Sequence, residues 1–322
     1  MKNIKKYFSL FCILFFLPLV YSQEKIKLEQ DFSIGENSGD ENYIFGRISD
    51  IAISPKDEIF VLDTAKWVVS KFSRNGKFLL SVGKRGQGPG EFGTYPVAIE
   101  TDNEGNLIVA EFRKISIFNN EGKFLGSFKL DFQCQDFFID DSNWIILLGL
   151  KDGKIFHIYN RNGEEIFSFR KPVEIPQKYL KYKRLPNMNL PFKVYFTKNK
   201  RLIYMNPYKY ELIIADKVNQ IVKKIEHKSE FYKPAMVLES RRGKSLSVNL
   251  ITMNYSIFEY KNFMYVCLFG ENESQIDIFK NDKYFDSLKI KSFPKAMDNE
   301  GNLYAIDESD FPKILRYNLI IQ

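Results

Sequence analysis

The chain of 322 residues carries 47 Lys+Arg against 40 Asp+Glu, a formal net charge of +7, and 30 Phe, 18 Tyr and 2 Trp. With 44% hydrophobic and 27% charged residues, and only 18 Gly and 12 Pro, it is neither a disordered nor a collagen-like composition. Two His and three Cys argue against a Cys/His zinc cluster, a His-rich metal centre or a disulfide scaffold.

The chain opens with Lys2, Lys5 and Lys6, followed by an uncharged apolar run over 7–20 and then Val20-Tyr21-Ser22. Small or compact residues at the −3 and −1 positions predict a signal peptide over 1–22, cut before Gln23. The run is short for a bilayer core of ~30 Å, which needs about 20 residues. Cys12 lies inside the run behind the bulky Phe11, which disfavours a lipoprotein anchor. Export to the periplasm, the envelope or the medium is expected. The remaining domain, 23–322, has a net charge of +4, because the leader takes three lysines and no acid with it. Its two cysteines, Cys134 and Cys267, lie in separate apolar segments and are expected as buried free thiols.

Repeats follow along the domain. Gly-Asn-Leu-Ile-Val-Ala-Glu at 105–111 recurs as Gly-Asn-Leu-Tyr-Ala-Ile-Asp at 301–307, each behind Asp-Asn-Glu, and 57–63 is a weaker copy. Degenerate copies at 143–149, 200–206 and 262–268 bring the number of units to six. Each unit has a short β-rich run ahead of it, at 48–53, 96–100, 132–139, 191–196, 256–260 and 293–297. Behind it comes another run, then a turn, then in five units a further run. The turns are Asn75-Gly76, Glu121-Gly122, Asn162-Gly163, Val218-Asn219 and Asn281-Asp282, and the Asn-Gly pairs among them read as type I′ hairpins. Four strands per unit, recurring every ~38 to 62 residues, predict propeller blades. The last unit lacks its fourth strand, and the run from Ile26 to Ile34 is unassigned. The prediction is an all-β, six-bladed β-propeller whose ring is closed by that N-terminal strand joining the last blade, which removes an open sheet edge.

Residues 81–92, Ser-Val-Gly-Lys-Arg-Gly-Gln-Gly-Pro-Gly-Glu-Phe, then Tyr95-Pro96, 102–111 and 115–118 resemble the NHL repeat. The likeness is to the secreted six-bladed propeller proteins of NHL type found in bacteria. It is strong in blades one and two, moderate in blade six and poor in blades three to five. It implies the fold and leaves activity open, since propellers host many functions. Gly83, Gly86, Gly88 and Gly90 are read as glycines that permit unusual backbone conformations in a crossing between blades, Pro89 as stiffening it, and Phe92 as filling the gap. The loop lacks the strand–loop–helix context and Gly-Lys-Ser/Thr ending of a phosphate loop. Segments 102–105 and 298–301 lack the alternating acids and distal Glu of a calcium loop, and read as turns.

Catalytic propellers of related shape include calcium-dependent lactonases, resembling regucalcin, and zinc-dependent amidating lyases. His157 and His227 alone do not supply the lyase's ligands. Inward Asp, Glu and Asn for a lactonase are available, but no constellation marks them. Asp63, Glu111 and Asp307 end equivalent strands, and the favoured role for them is structural, bonding to neighbouring backbone. No cofactor or metal is expected.

In a four-stranded blade the crossings between blades and the loops from second to third strand share one face of the disc. The three longest crossings, 83–94, 170–190 and 226–246, carry +1, +5 and +2, which leaves the rest of the domain at −4. The expected binding residues on this face are Lys84, Arg85, Arg113, Lys114, Lys178, Lys181, Lys183, Arg184, Arg241 and Arg242. Lysines and arginines interleaved with Tyr179 and Tyr182 suit an anionic glycan or an acidic protein surface. Nucleic acid fits the charge and is disfavoured by the export signal. The leading expectation is a non-catalytic binding module, with a metal-dependent hydrolase or lactonase in the central channel as the alternative. Oligomeric state is left open.

Overall fold

The computed structural model describes residues 24–177, 193–197, 201–216, 220–233, 236–239, 246–249, 253–270 and 273–322. Six four-stranded antiparallel sheets stand in a ring. Blade one is β2(Ile48–Ile53), β3(Ile59–Asp63), β4(Val68–Phe72) and β5(Phe78–Val82). Blade two is β6(Pro96–Thr101) to β9(Phe124–Lys129), blade three β10(Asp136–Ile139) to β13(Glu165–Phe169), and blade four β14(Val194–Phe196) to β17(Ile221–Glu226). Blade five is β20(Met253–Tyr260) to β23(Lys283–Ile290). Blade six takes β24(Phe293–Met297), β25(Leu303–Asp307) and β26(Lys313–Ile321), and its outer strand is β1(Ile26–Ile34). β1 runs antiparallel to β26 from Ile26 opposite Ile321 to Ile34 opposite Ile314, closing the ring as expected.

The core is divided as the ring is. Six buried apolar clusters lie one between each pair of adjacent blades, for example Phe60, Leu62 and Val69 of blade one against Ile99, Val109 and Phe118 of blade two. Ile34 of the closing strand, with Tyr304 and Ile314, meets Ile51 and Val61 across the seam. Burial on both faces is why the inner strands read as continuous apolar runs rather than alternating ones.

The turn from first to second strand repeats one device. Asp102 Oδ1 accepts the amides of Glu104 and Asn106, both at 2.9 Å. Asp298 does the same for Glu300 and Asn302, and Asp140 for Ser142 and Trp144. Ser54 Oγ serves Lys56 and Glu58. These are side chains mimicking a turn of backbone, so 102–105 and 298–301 are turns.

Three expectations are corrected. Gly76, Gly122 and Gly163 have φ of +77°, +81° and +81°, but Asn75, Glu121 and Asn162 before them do not have positive φ. Each glycine instead donates its amide three residues back, as Gly76 does to Ser73 at 2.9 Å, a type I turn with a glycine bulge rather than type I′. Asn281 and Asp282, with φ of +50° and +62°, do form the two-residue form, and Val218-Asn219 lies outside the described residues. Second, β10 starts at Asp136 rather than 132 because Cys134 donates its amide to Phe112 of blade two, which holds this segment off its own ladder. Third, the crossing after blade four contains a hairpin, β18(Met236–Glu239) paired with β19(Leu246–Asn249). Cys134 and Cys267 are buried thiols that form no disulfide.

A bulge recurs in the outer strand of all six blades, at Leu79, Leu125, Ile166, Val222, Phe285 and, on the closing strand, Asp31. It places Leu79, Leu125, Ile166 and Val222 on the rim, where Phe167 and Ile221 are exposed beside the last two.

Candidate functional site

The glycine-rich crossing from blade one to blade two is built around Glu91 and Phe92. Gly83 and Gly90 have φ of +81° and +75°. Gly88 to Glu91 form a turn closed by Glu91 N–H to Gly88 O at 3.0 Å, with Pro89 and the left-handed Gly90 in its two central positions, as a type II turn requires. Phe92 is fully buried, edge-on to Phe118, and a Cβ on Gly83 would stand 2.3 Å from its ring. Gly86 and Gly88 do not take positive φ. They leave room for the Glu91 carboxylate, which accepts the Gly88 amide at 2.8 Å and pairs with Lys84 at 3.0 Å. Those two contacts hold the Glu91 carboxyl below its usual range.

The basic residues of this crossing are engaged locally. Arg85 lies over the Trp67 ring at 5.2 Å. Lys114 Nζ pairs with Glu111 at 2.8 Å and donates to Glu91 O at 2.7 Å. Arg113 is exposed at the turn between second and third strands of blade two. Lys178, Lys181, Lys183, Arg184, Arg241 and Arg242 lie outside the described residues.

On the same face Tyr95 stands between two aromatic residues, Trp67 and Phe112, that sequence reading did not single out. Trp67, at the turn before β4, meets Tyr95 edge-on at 6.0 Å, and Tyr95 meets Phe112 at 5.9 Å with planes 33° apart. Tyr95 and Phe112 are 36% and 45% exposed. The three rings form a row across the boundary of blades one and two, flanked by Arg85 and Arg113. Half a turn of the ring away, the 206–210 loop and the start of the crossing after β17 border an open, shallow recess of about 560 Å³. Tyr208, Tyr210, Tyr232, His227, Lys209, Lys228 and Glu230 line it. The His227 ring stacks on Tyr284 at 4.3 Å, and burial lowers its proton affinity.

Asp63, Glu111 and Asp307 serve the backbone. Asp63 accepts the amides of Gly46, Arg47, Ala65 and Lys66 within 3.1 Å. Glu111 accepts the Thr94 amide at 2.7 Å, and Asp307 the Ser309 amide at 3.0 Å. They do not gather into a site.

The ring brings together a second set of charges at its axis, contributed by the innermost strand of five blades. Asp50, Glu100, Asp136, Lys193 and Lys295, with Tyr195, line a channel cavity of about 190 Å³. Asp136 Oδ1 accepts from Lys193 Nζ at 2.7 Å, and its Oδ2 faces the Val194 amide at 3.4 Å. Asp50 Oδ2 accepts the Ile99 amide of blade two at 3.0 Å. Glu100 and Lys295 keep part of their area in the channel but are ringed by protein. Burial, then Asp50 and Asp136, push the Glu100 carboxyl up to about 8. Burial, despite Asp50, brings the Lys295 ammonium down to about 8, with Lys193 adding to the fall. For Lys193, burial is outweighed by Asp136 and Asp50, which hold it charged. No three His, Cys, Asp or Glu among the described residues stand close enough to hold one metal ion. The signal for this site was a single charge inside each short apolar run, as in Ile-Ser-Asp-Ile-Ala-Ile at 48–53 and Phe-Pro-Lys-Ala-Met at 293–297.

No curated protein is significantly similar in sequence. Among solved structures, a Bacteroides fragilis protein named for its expected export matches with a TM-score of 0.62 at 12% identity, over 93% of this chain and 96% of that one. A member of the DUF4221 family from Bacteroides vulgatus matches with a TM-score of 0.62 at 14% identity, over 93% and 99%. Virginiamycin B lyase from Staphylococcus aureus matches with a TM-score of 0.56 at 11% identity, over 92% and 100%. At these identities the likeness is one of fold. A family model described as a 6-bladed beta-propeller, DUF5128, matches residues 39–306, and with the six blades closed by β1 the chain belongs to that family.

Proposed function

We propose that this protein is an exported, non-catalytic binding propeller of NHL type that takes an anionic glycan on its long-crossing face. The observation that carries the reading is the row Trp67, Tyr95 and Phe112, flanked by Arg85 and Arg113. Exposed aromatic faces supply the apolar planes that sugar rings stack on, and guanidinium groups match carboxylate and sulfate geometry. The recess at 208–232 sets Lys228 beside Tyr208 and Tyr232 on the same face, with Lys209 held by Glu211 and Glu226. The basic stretch Lys178, Lys181, Lys183 and Arg184, with Arg241 and Arg242, lies outside the described residues and is expected from chain order alone to extend the positive field of this face.

Export rests on the leader over 1–22 and agrees with the Bacteroides fragilis relative named for its expected export. No helix among the described residues is long and apolar enough to cross a membrane.

The test is retention of the mature protein, 23–322, on immobilised heparin across a salt gradient. Wild type is expected to elute later than Trp67→Ala with Tyr95→Ala, and later than Lys181→Glu, Lys183→Glu, Arg184→Glu. Elution of all three at the same salt concentration overturns the reading. N-terminal sequencing of the exported protein checks the leader, with Gln23 expected first.

A further inference from the structure

We propose that Arg170, at the head of the crossing from blade three to blade four, is a subsite for an oxyanion: a carboxylate, sulfate or phosphate held through two oxygens on one edge of the guanidinium. The site stands apart from Trp67, Tyr95 and Phe112 and does not depend on what binds there.

The observation is a charge whose donors are buried and unmet. Arg170 Nε and Nη2 are enclosed, and among the described residues no acceptor reaches either of them. Buried polar groups are almost always bonded, and a buried charge left unbonded is the most unfavourable exception. A lysine or a carboxyl in such a place relieves the strain by giving up its charge, whereas a guanidinium keeps it. An anion is what relieves it. The acids of the fold do not supply one. Glu165, five residues back, is taken by Lys151 at 2.6 Å. Glu211 of blade four is held by Lys209 at 2.6 Å and Asn206 at 3.1 Å. Asp152 and Glu174 are exposed and do not pair with Arg170.

The two unmet atoms set the shape of the ligand. Nε–H and the Nη2 N–H beside it point the same way from one edge of the planar group, the fork to which a carboxylate, sulfate or phosphate presents two oxygens. A halide has one centre to offer, and water carries no charge.

The backbone turns the guanidinium into this position. β13 ends with Phe169 facing blade four, in the cluster with Phe156 and Tyr204, so strict alternation would point residue 170 the other way. Arg170 instead has φ of +65°, a left-handed conformation uncommon outside glycine, while its carbonyl still accepts the Ile155 amide at 3.0 Å. Its charge acts on Tyr204 of blade four: burial raises that phenol above its usual range, and Arg170 opposes the rise. Backbone strain of this kind persists where a side chain has to be placed. Arg170 keeps part of its surface exposed and Lys171 beside it is exposed, so an anion arriving from solvent meets positive charge first.

The experiment is thermal unfolding of the mature protein, 23–322, at pH 7 with sodium acetate, sulfate or phosphate added while sodium chloride holds the ionic strength constant. At least one of the three is expected to raise the wild-type Tm saturably, with half of the rise reached below about 10 mM. Arg170→Gln should lose the saturable rise. Arg170→Lys, which keeps the charge without the fork, should need at least about fivefold more anion. In chloride alone Arg170→Met should melt no lower than wild type, because it removes an unpaired charge and keeps the apolar stem, whereas removing an arginine paired within the fold lowers Tm. The same titration with a sulfated heparin disaccharide distinguishes the sources of the group. Half-saturation below that of free sulfate, lost in Arg170→Gln, puts the group on a sugar, and an equal or weaker response puts it on the free ion. Trp67→Ala should respond to the three ions as wild type does, so failure of the aromatic row leaves this site standing. No saturable rise with any of the three ions, an equal rise in Arg170→Gln, or a lower Tm or failure to fold of Arg170→Met in chloride overturns the proposal.

Discussion

Lys193 of blade four reaches Asp136 of blade three at 2.7 Å, an ion pair that joins two innermost strands across a blade boundary inside the channel. Removing one member strands the other in a poorly solvated place. Lys193→Met is expected to cost about 2 to 3 kcal/mol, less than a fully buried pair because the lysine keeps 24% of its side chain accessible. Asp136→Leu with Lys193→Met should recover most of the loss. Urea midpoints of the single and double variants measure it.

Glu100 makes stability depend on pH. Its carboxyl is raised to about 8 in the folded protein by burial and by Asp50 and Asp136, with Lys193 opposing. Between about pH 4.5 and 8 the folded chain therefore holds a proton that the unfolded chain has released. The stability this group contributes is full below the unfolded value and is lost as pH rises toward 8. Lys295, lowered to about 8, acts only above that point, where stability returns as pH rises toward 10.5. Thermal melts should show Tm falling from pH 5 to 8 in wild type and a shallower fall in Glu100→Gln.

The four glycines of 83–90 should respond unequally to alanine. Gly83→Ala meets both a φ of +81° and the Phe92 ring at 2.3 Å, and should cost about 2 kcal/mol or more. Gly88→Ala meets only the end of the Glu91 side chain at 3.1 Å, and should cost under about 1 kcal/mol. Denaturant midpoints of the two variants would reveal equal costs if the distinction were wrong.

Deleting residues 23–34 removes the whole outer strand of blade six. It exposes the edge of β26 and uncovers Tyr304 and Ile314, which pack with Ile34. Calorimetry should show a single transition at lower temperature, because every blade leans on two neighbours. An unchanged Tm would mean that closure contributes nothing.

Much of the fold was legible because each blade repeats its turn chemistry. Asp102 and Asp298 sit at the same place for the same reason, and Gly76, Gly122 and Gly163 mark the same hairpin even though its turn type was misread. The closing strand was legible as a run without a partner beside a blade without a fourth strand. The channel was not. Asp50, Glu100, Asp136, Lys193 and Lys295 span 245 positions of sequence, and one charge in a five-residue strand carries no period. Only closure of the ring points them at one axis. Gly86 was misread differently: a glycine that makes space for a neighbour's side chain looks the same in sequence as one that needs a left-handed backbone. Trp67 and Phe112 were passed over because aromatic residues are so frequent in this chain.

Lys25 and Gln322 exchange both of their backbone hydrogen bonds, at 3.0 and 2.9 Å. The propeller is thus a circle with a nick in it, and where the nick falls is a matter of gene order rather than of architecture. A circular permutant, joined by a short linker between residues 322 and 25 and opened at the exposed Asp152-Gly153 hairpin of blade three, should trace the same six blades. In that permutant the seam of blade six would become an ordinary hairpin, and blade three would take over the role of clasp.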